Sequence, residues 1–239
     1  MNALSVSHLG PTSYRDGLAI QEGLVQARAG GRTGDWLLFP DHPPVLTVGR
    51  SPSPGNVIAD PETLRRMGIE LFEVARGGDV TWHGPGQLVG YLICDLSERG
   101  CDLHRFLRDI EAGLIRTLEG WGIPAERSPG RTGVWSENEK IASIGIAVRR
   151  WVSYHGFALN VAPDLRFFDL INPCGLTGIH MTSVASRLGE RAPSLDGARE
   201  AAAKAFAGAL GYPGWTWVEA TEAWRLARPV SPERAASAA

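Results

Sequence analysis

Lys140-Ile141-Ala142-Ser143-Ile144-Gly145-Ile146 and Tyr154-His155-Gly156-Phe157-Ala158-Leu159-Asn160-Val161 are two apolar runs with small residues set into them. Their length and composition suit β-strands. Ser136 to Glu139 supplies a turn before the first run, with Lys140 on its far side, and Arg149-Arg150-Trp151 supplies a turn before the second. The two strands should therefore pair. Gly145, Gly156 and Ala158 are small in otherwise bulky strands, which marks places where a ligand or another backbone comes close. Beyond the second strand, Asn172-Pro173-Cys174-Gly175 fixes a thiol between Pro and Gly in a polar loop. Most lysines are solvated, but Lys140 opens an apolar strand, where it can be drawn into a site. A thiol is a weak nucleophile until its proton is removed, and a lysine held out of water can remove it. This pairing predicts acyl transfer through a thioester on Cys174, with Lys140 as its proton acceptor.

The flanking sequence supplies the rest of an α/β fold. Residues 5–9 suit a first strand. Pro11-Thr12-Ser13 opens a helix that Gly30-Gly31 closes. Trp36 to Pro40 is a short buried strand, and Val45 to Arg50 another. His42, between them, reads as a loop residue shaped by Pro43 and Pro44. Asp60-Pro61 starts a short helix, and Ile69 to Val74 alternates as a strand with one wet face. Leu88 to Leu96 is continuously apolar, hence a central strand, with Cys94 as inert core. Asp102 caps a helix with an apolar stripe at the 3.6-residue period. Arg127 to Trp135 is a polar loop running into a strand, and Asp164 to Ile171 a short helix. Ser194 caps an Ala-rich helix to Leu210, and Gly214 to Val218 is a late strand. The tail from Pro229 should fray, and residues 1–239 contain no internal repeat or linker, so a single domain is expected.

Arg76-Gly77-Gly78-Asp79-Val80-Thr81-Trp82-His83-Gly84-Pro85-Gly86-Gln87 concentrates binding chemistry between two glycine turns. It reads either as a ligand loop with exposed N–H groups or as a glycine-rich hairpin with a buried Trp and a hydrogen-bonded His. His155 is open in the same way, as core or as a supporting site residue.

The bulk numbers narrow the classes. With 44% apolar residues, the 239-residue chain can fill a large core unaided. A net charge of −2 gives no electrostatic case for nucleic acid. No apolar run is long enough to span a membrane, and Met1 to Ser5 lacks the pattern of a secretory signal. Three cysteines (Cys94, Cys101 and Cys174), none in a CxxC pair, argue for a reducing, cytoplasmic compartment and against structural zinc. Cys101, beside a helix start, is the runner-up nucleophile.

Arg76-Gly77-Gly78 with Thr81 to Gln87, Gly133-Val134-Trp135, Lys140 to Gly145, His155 to Asn160 and Pro173-Cys174-Gly175 occur here in one order. This set resembles the octanoyl-[acyl carrier protein]:protein octanoyltransferases of lipoate biosynthesis. The resemblance spans about residues 36–190. It implies a biotin/lipoyl-ligase-like α/β fold, a mixed sheet packed by helices. It implies that octanoyl passes from the phosphopantetheine thioester of acyl carrier protein to a lysine of a lipoyl domain, in the E2 subunits of 2-oxoacid dehydrogenases or the glycine cleavage H protein. By position, Cys174 would be the acyl-thioester nucleophile and Lys140 the group that lowers its pKa. Arg76, Gly77, Gly78, Asp79, Val80, Thr81, Trp82 and His83 would line the acyl slot, with Ser143, Ile144, Gly145, Gly156, Phe157 and Ala158. Asp79 and the acidic turn Glu137-Asn138-Glu139 depart from the family pattern without removing a needed group.

Such a reaction should need no ATP and no metal, because a thioester donor and a thioester intermediate are nearly isoenergetic and the amide lies downhill. The oxyanion would be held by N–H groups of the Gly77-Gly78 loop or near Cys174. Acidic carriers would be met by a rim of Arg50, Arg76, Arg127, Arg131, Arg149 and Arg150. The rivals are an ATP-dependent lipoate or biotin ligase, a docking module without chemistry, and a Cys–His hydrolase. The His-Gly-Pro-Gly-Gln ending of the loop and the Pro-Cys-Gly setting favour the transferase.

Overall fold

In the computed structural model, which describes residues 2–53, 55–172 and 179–229, the first strand β1 (Leu4–Pro11) leads into α1 (Tyr14–Ala29). The Ser13 hydroxyl caps that helix by accepting from the Asp16 N–H. β2 (Trp36–Asp41), β3 (Val45–Val48), α2 (Pro61–Arg66), β4 (Glu70–Glu73), β5 (Val80–His83) and β6 (Gln87–Ile93) follow. Then come α3 (Leu103–Glu119), β7 (Glu126–Ser128), β8 (Arg131–Ser136), β9 (Glu139–Arg149) and β10 (Val152–Asn160). After a 3₁₀ turn at Leu165–Leu170, the chain ends in α4 (Val184–Leu188), α5 (Leu195–Ala209), β11 (Trp215–Trp217) and α6 (Ala220–Ala227).

The mixed sheet has eight strands in the order β11-β1-β2-β6-β10-β9-β8-β7. β1 runs parallel to β2 and β11, and the other pairs are antiparallel. β6 is buried along its whole length near the middle of this sheet, as its unbroken apolar run requires. One face packs on α3 and α5 through Phe106, Ile110, Leu114, Ala202 and Phe206. The other packs on α1 and α6 through Ile20, Leu24, Val25 and Ala223. Both hairpins of β9 turn on pairs of left-handed residues, Glu137-Asn138 and Arg150-Trp151, with φ between 50° and 67°. Such pairs match the twist of the flanking strands.

Two expectations are corrected. A second sheet, β4-β3-β5, stands apart from the first, so β5 and β6 belong to different sheets and are not a hairpin. β5 pairs with β3 because the rigid Gly84-Pro85-Gly86 turn sends the chain out of one sheet and into the other. β4 is an outer strand of this sheet, and its Leu71 is 49% exposed, so the alternating pattern there does not bury its apolar side chains. α6 had no expectation attached, yet it lies so close to α1 that a Cβ at Gly23 would stand 2.0 Å from the Ala227 carbonyl oxygen.

Candidate active site

Between the large sheet and β5 lies a cavity of about 330 Å³. β9 contributes Lys140, Ser143, Ile144 and Gly145, and β10 contributes His155, Gly156, Phe157 and Ala158. The glycine loop and β5 contribute Arg76, Gly78, Asp79, Val80, Thr81 and His83. The predicted segments thus converge on one space, with two exceptions. Strand alternation turns Trp82 away from Thr81 and His83, into a separate apolar cluster where it stacks on Phe167 with ring centroids 4.9 Å apart. Gly77 is not in the lining, and its N–H is spent on the Ile146 carbonyl at 2.9 Å. Gly77 is therefore no oxyanion donor. Cys174 falls in 173–178, outside the described residues, as do the N–H groups around it.

Lys140 is 1% exposed, so the solvated alternative is excluded. Its Nζ lies 5.3 Å from the centre of the Trp135 ring, within reach of a cation–π contact. Gly133 makes room for the lysine stem: a Cβ there would stand 2.9 Å from Lys140 Cε. Gly133 is set in turn by Glu111 of α3, a buried carboxylate that accepts from Gly133 N–H at 3.3 Å, from Arg127 at 3.0 Å and from Arg108 at 2.7 Å. Glu111 thereby holds the β7–β8 hairpin, whose Gly130, Arg131 and Thr132 also line the cavity.

The backbone beside Lys140 ties it to the segment that follows residue 178. Lys140 N–H donates to His180 O at 2.8 Å, and Thr182 N–H donates to Lys140 O at 2.9 Å. A side-chain relay braces the same place: His83 donates to Gln87, Gln87 to Asn160, and Asn160 to the Thr182 carbonyl, at 2.8, 3.0 and 3.0 Å. On the other flank, Asp79 accepts from Asn56, Ser53 N–H and Val80 N–H. The Asn56 carbonyl accepts from Asn172 N–H at 2.8 Å. Asp79 thus pins the loop that holds Asn172, the last described residue before 173.

His42 lies in the loop between β2 and β3, as expected, but it is not a solvated loop residue. It is buried, and its Nδ1 bonds Thr12 O at 2.7 Å while Nε2 bonds the Tyr91 hydroxyl at 2.6 Å. A carbonyl only accepts, so Nδ1 carries the proton and Nε2 accepts from Tyr91. His155 departs from strand geometry with φ of 58°, and its N–H leaves the ladder to donate to Gln21 Oε1 at 2.6 Å. Tyr91, His42 and Gln21 escaped sequence reasoning. The available signal was a phenol inside a buried apolar strand and a glutamine on the inner face of a helix, both of which need partners.

Burial holds the imidazoles neutral: His42 is lowered to about 4, and His83 and His155 to about 3. An unfolded histidine binds a proton near pH 6.5, so the unfolded chain takes up protons first as pH falls. The stability these groups contribute is complete above about pH 6.5 and is lost on descent toward 4 and 3. The urea midpoint should drop between pH 7.5 and 5, and His155→Asn should lessen the drop. An equal midpoint at both pH values would refute this.

Of the six arginines expected to form a rim, Arg76 and Arg131 line the cavity, but Arg76 is buried and donates to Thr47 O at 2.6 Å. Arg127 is held by Glu111, and Arg149 and Arg150 sit at the turn of the β9–β10 hairpin, at the opposite end of β9 from Lys140. Cys94 is fully buried and its thiol is pushed up to about 12, as inert core should be. Cys101 is exposed and absent from the cavity lining. Among the described residues no helix is long and apolar enough to cross a membrane.

Residues 13–207 match the profile of the lipoyl protein ligase A/B catalytic domain. The octanoyltransferase of Geobacter metallireducens is 47% identical over 201 residues, covering 84% of this chain and 91% of that one. The octanoyltransferase of Citrifermentans bemidjiense is 52% identical over 183 residues, covering 76% and 85%. Among solved structures, lipoate-protein ligase A bound with ATP superposes with a TM-score of 0.75 at 18% identity, covering 95% of this chain and 93% of that one. That likeness carries the fold.

Proposed function

The chain belongs to the lipoyl protein ligase A/B catalytic-domain family, and from that premise we propose that it is an octanoyltransferase acting on lipoyl-domain proteins. The observation that carries the reading is Lys140, buried at a small-residue slot and bonded through its backbone to the chain just after the Cys174 segment. Octanoyl-acyl carrier protein is the donor, and lipoyl domains of 2-oxoacid dehydrogenase E2 subunits and the glycine cleavage H protein are the acceptors. The Cys174 thiolate attacks the donor carbonyl, the bond to the phosphopantetheine sulfur breaks, and Lys140 returns the proton to that sulfur. The acceptor lysine, as a free amine, then attacks the new thioester. Its carbon–nitrogen bond forms as Cys174 leaves, and the surplus proton passes to Lys140. Neither ATP nor metal enters either half, and the thiol is kept reduced in the cytoplasm.

Burying the six methylenes of the chain contributes about 5 kcal/mol toward binding. The slot supplies that surface where the sheet carries its smallest side chains, Gly145, Gly156 and Ala158.

Intact mass after mixing with octanoyl-acyl carrier protein, without ATP, tests the reading. One octanoyl group should appear on Cys174 and be discharged by an apo lipoyl domain. A folded protein that stays unmodified, and that makes product only from octanoate with ATP, would instead be a ligase.

A further inference from the structure

The register of three neighbouring strands lays two rows across the floor of the slot. Ser143, Ala158 and Val89 face one another in the first row, and Gly145, Gly156 and Tyr91 in the second. All six line the cavity. The first row is small or slender. In the second, both glycines lie against backbone, a Cβ at Gly145 falling 2.9 Å from the Gly77 carbonyl oxygen and one at Gly156 2.1 Å from that of Gly90, so Tyr91 is its one side chain.

Tyr91 is also held unusually firmly. Its hydroxyl donates to His42, and His42 donates to the Thr12 carbonyl, so the phenol is tied through a neutral imidazole to fixed backbone. Gly17 of α1 leaves space for this brace, since a Cβ there would stand 2.9 Å from His42 Cε1. A terminus that discriminates between chain lengths has to be rigid, because a side chain free to swing would yield to a longer chain.

We propose that Tyr91 is the stop of the acyl slot, the residue that sets the longest chain the protein accepts. This rests on the octanoyl-transfer reading above. Removing the ring opens the space between β6 and α1 to further methylenes. Each buried methylene is worth about a fourfold change in affinity, so two are worth about fifteenfold.

The test compares hexanoyl, octanoyl, decanoyl and dodecanoyl donors on acyl carrier protein. The wild type should show a break in kcat/KM beyond octanoyl. In Tyr91→Ala and the milder Tyr91→Leu the dodecanoyl-to-octanoyl ratio should rise about tenfold or more. Tyr91→Phe, which keeps the ring, should leave that ratio within about twofold. An absent break in the wild type overturns the proposal without any variant, and so does a ratio unmoved in a folded Tyr91→Leu. Calorimetry of the free fatty acids separates the proposal from its premise. If no donor is used but the break in fatty-acid affinity moves with residue 91, the transfer reading falls and the stop stands. If octanoyl is transferred and the break does not move, the stop falls.

Discussion

Lys140→Met should lower octanoyl transfer by about 10² to 10⁴-fold, the range lost when a positioned proton-transfer group is removed. Methionine has nearly the length of lysine and suits a site that is 1% exposed, so the fold should survive the exchange. The loss should appear in both halves of the reaction, because in the proposed mechanism the same amine returns a proton to the departing pantetheine and takes one from the attacking lysine. It should also appear without any substrate. Alkylation of Cys174 should shift to higher pH when the neighbouring positive charge is gone. Lys140→Arg divides the two contributions, since a guanidinium keeps the charge but does not give up a proton. That variant should hold the alkylation profile near the wild type while turnover stays low. A Lys140→Met protein with normal transfer and an unmoved alkylation profile would reduce Lys140 to a packing residue.

That such a lysine could be picked from the sequence reflects how local its signals are. The turn Ser136 to Glu139, the apolar run after it and the small residues within it all lie within a few positions of Lys140. They predict a hairpin strand with a lysine at its head, which is what β9 is. The same locality explains what escaped. Trp82 sits between two residues that do face the cavity, and only the pairing of β5 with β3 decides which side of the strand is which. His42 does lie in a loop, but its buried brace is hidden from the sequence because its partners, Thr12 and Tyr91, are 30 and 49 positions away. Gln21 reaches across 134 positions to the His155 N–H. The apolar pattern of α3 predicted a core helix, and it is one, yet its Glu111 also props the hairpin beside Lys140. Periodicity records which face of a helix is buried and carries no information about a carboxylate that reaches over its edge.

The second large effect concerns the floor of the slot. Gly156→Ala should destabilise the protein by about 3 kcal/mol or more, the upper range for overpacking a core, and lower Tm by roughly 6 to 12 °C. A Cβ at this position would stand 2.1 Å from the Gly90 carbonyl oxygen and 3.1 Å from its carbon. These are backbone atoms of β6, buried and bonded on both sides, so they cannot step aside as a side chain would. The close approach has a visible cause in the preceding residue. His155 adopts a left-handed φ and gives its N–H to Gln21, and the next residue of β10 is then pressed onto β6. The absence of a side chain at Gly156 is thus required by the neighbouring strand. Gly31→Ala is the control for general glycine effects: it is strained by a φ of +69° but meets nothing within 4 Å. It should cost about 1 kcal/mol. If Gly156→Ala melted no lower than Gly31→Ala, β6 and β10 would not be in the contact described, and the slot built on their register would lose its floor.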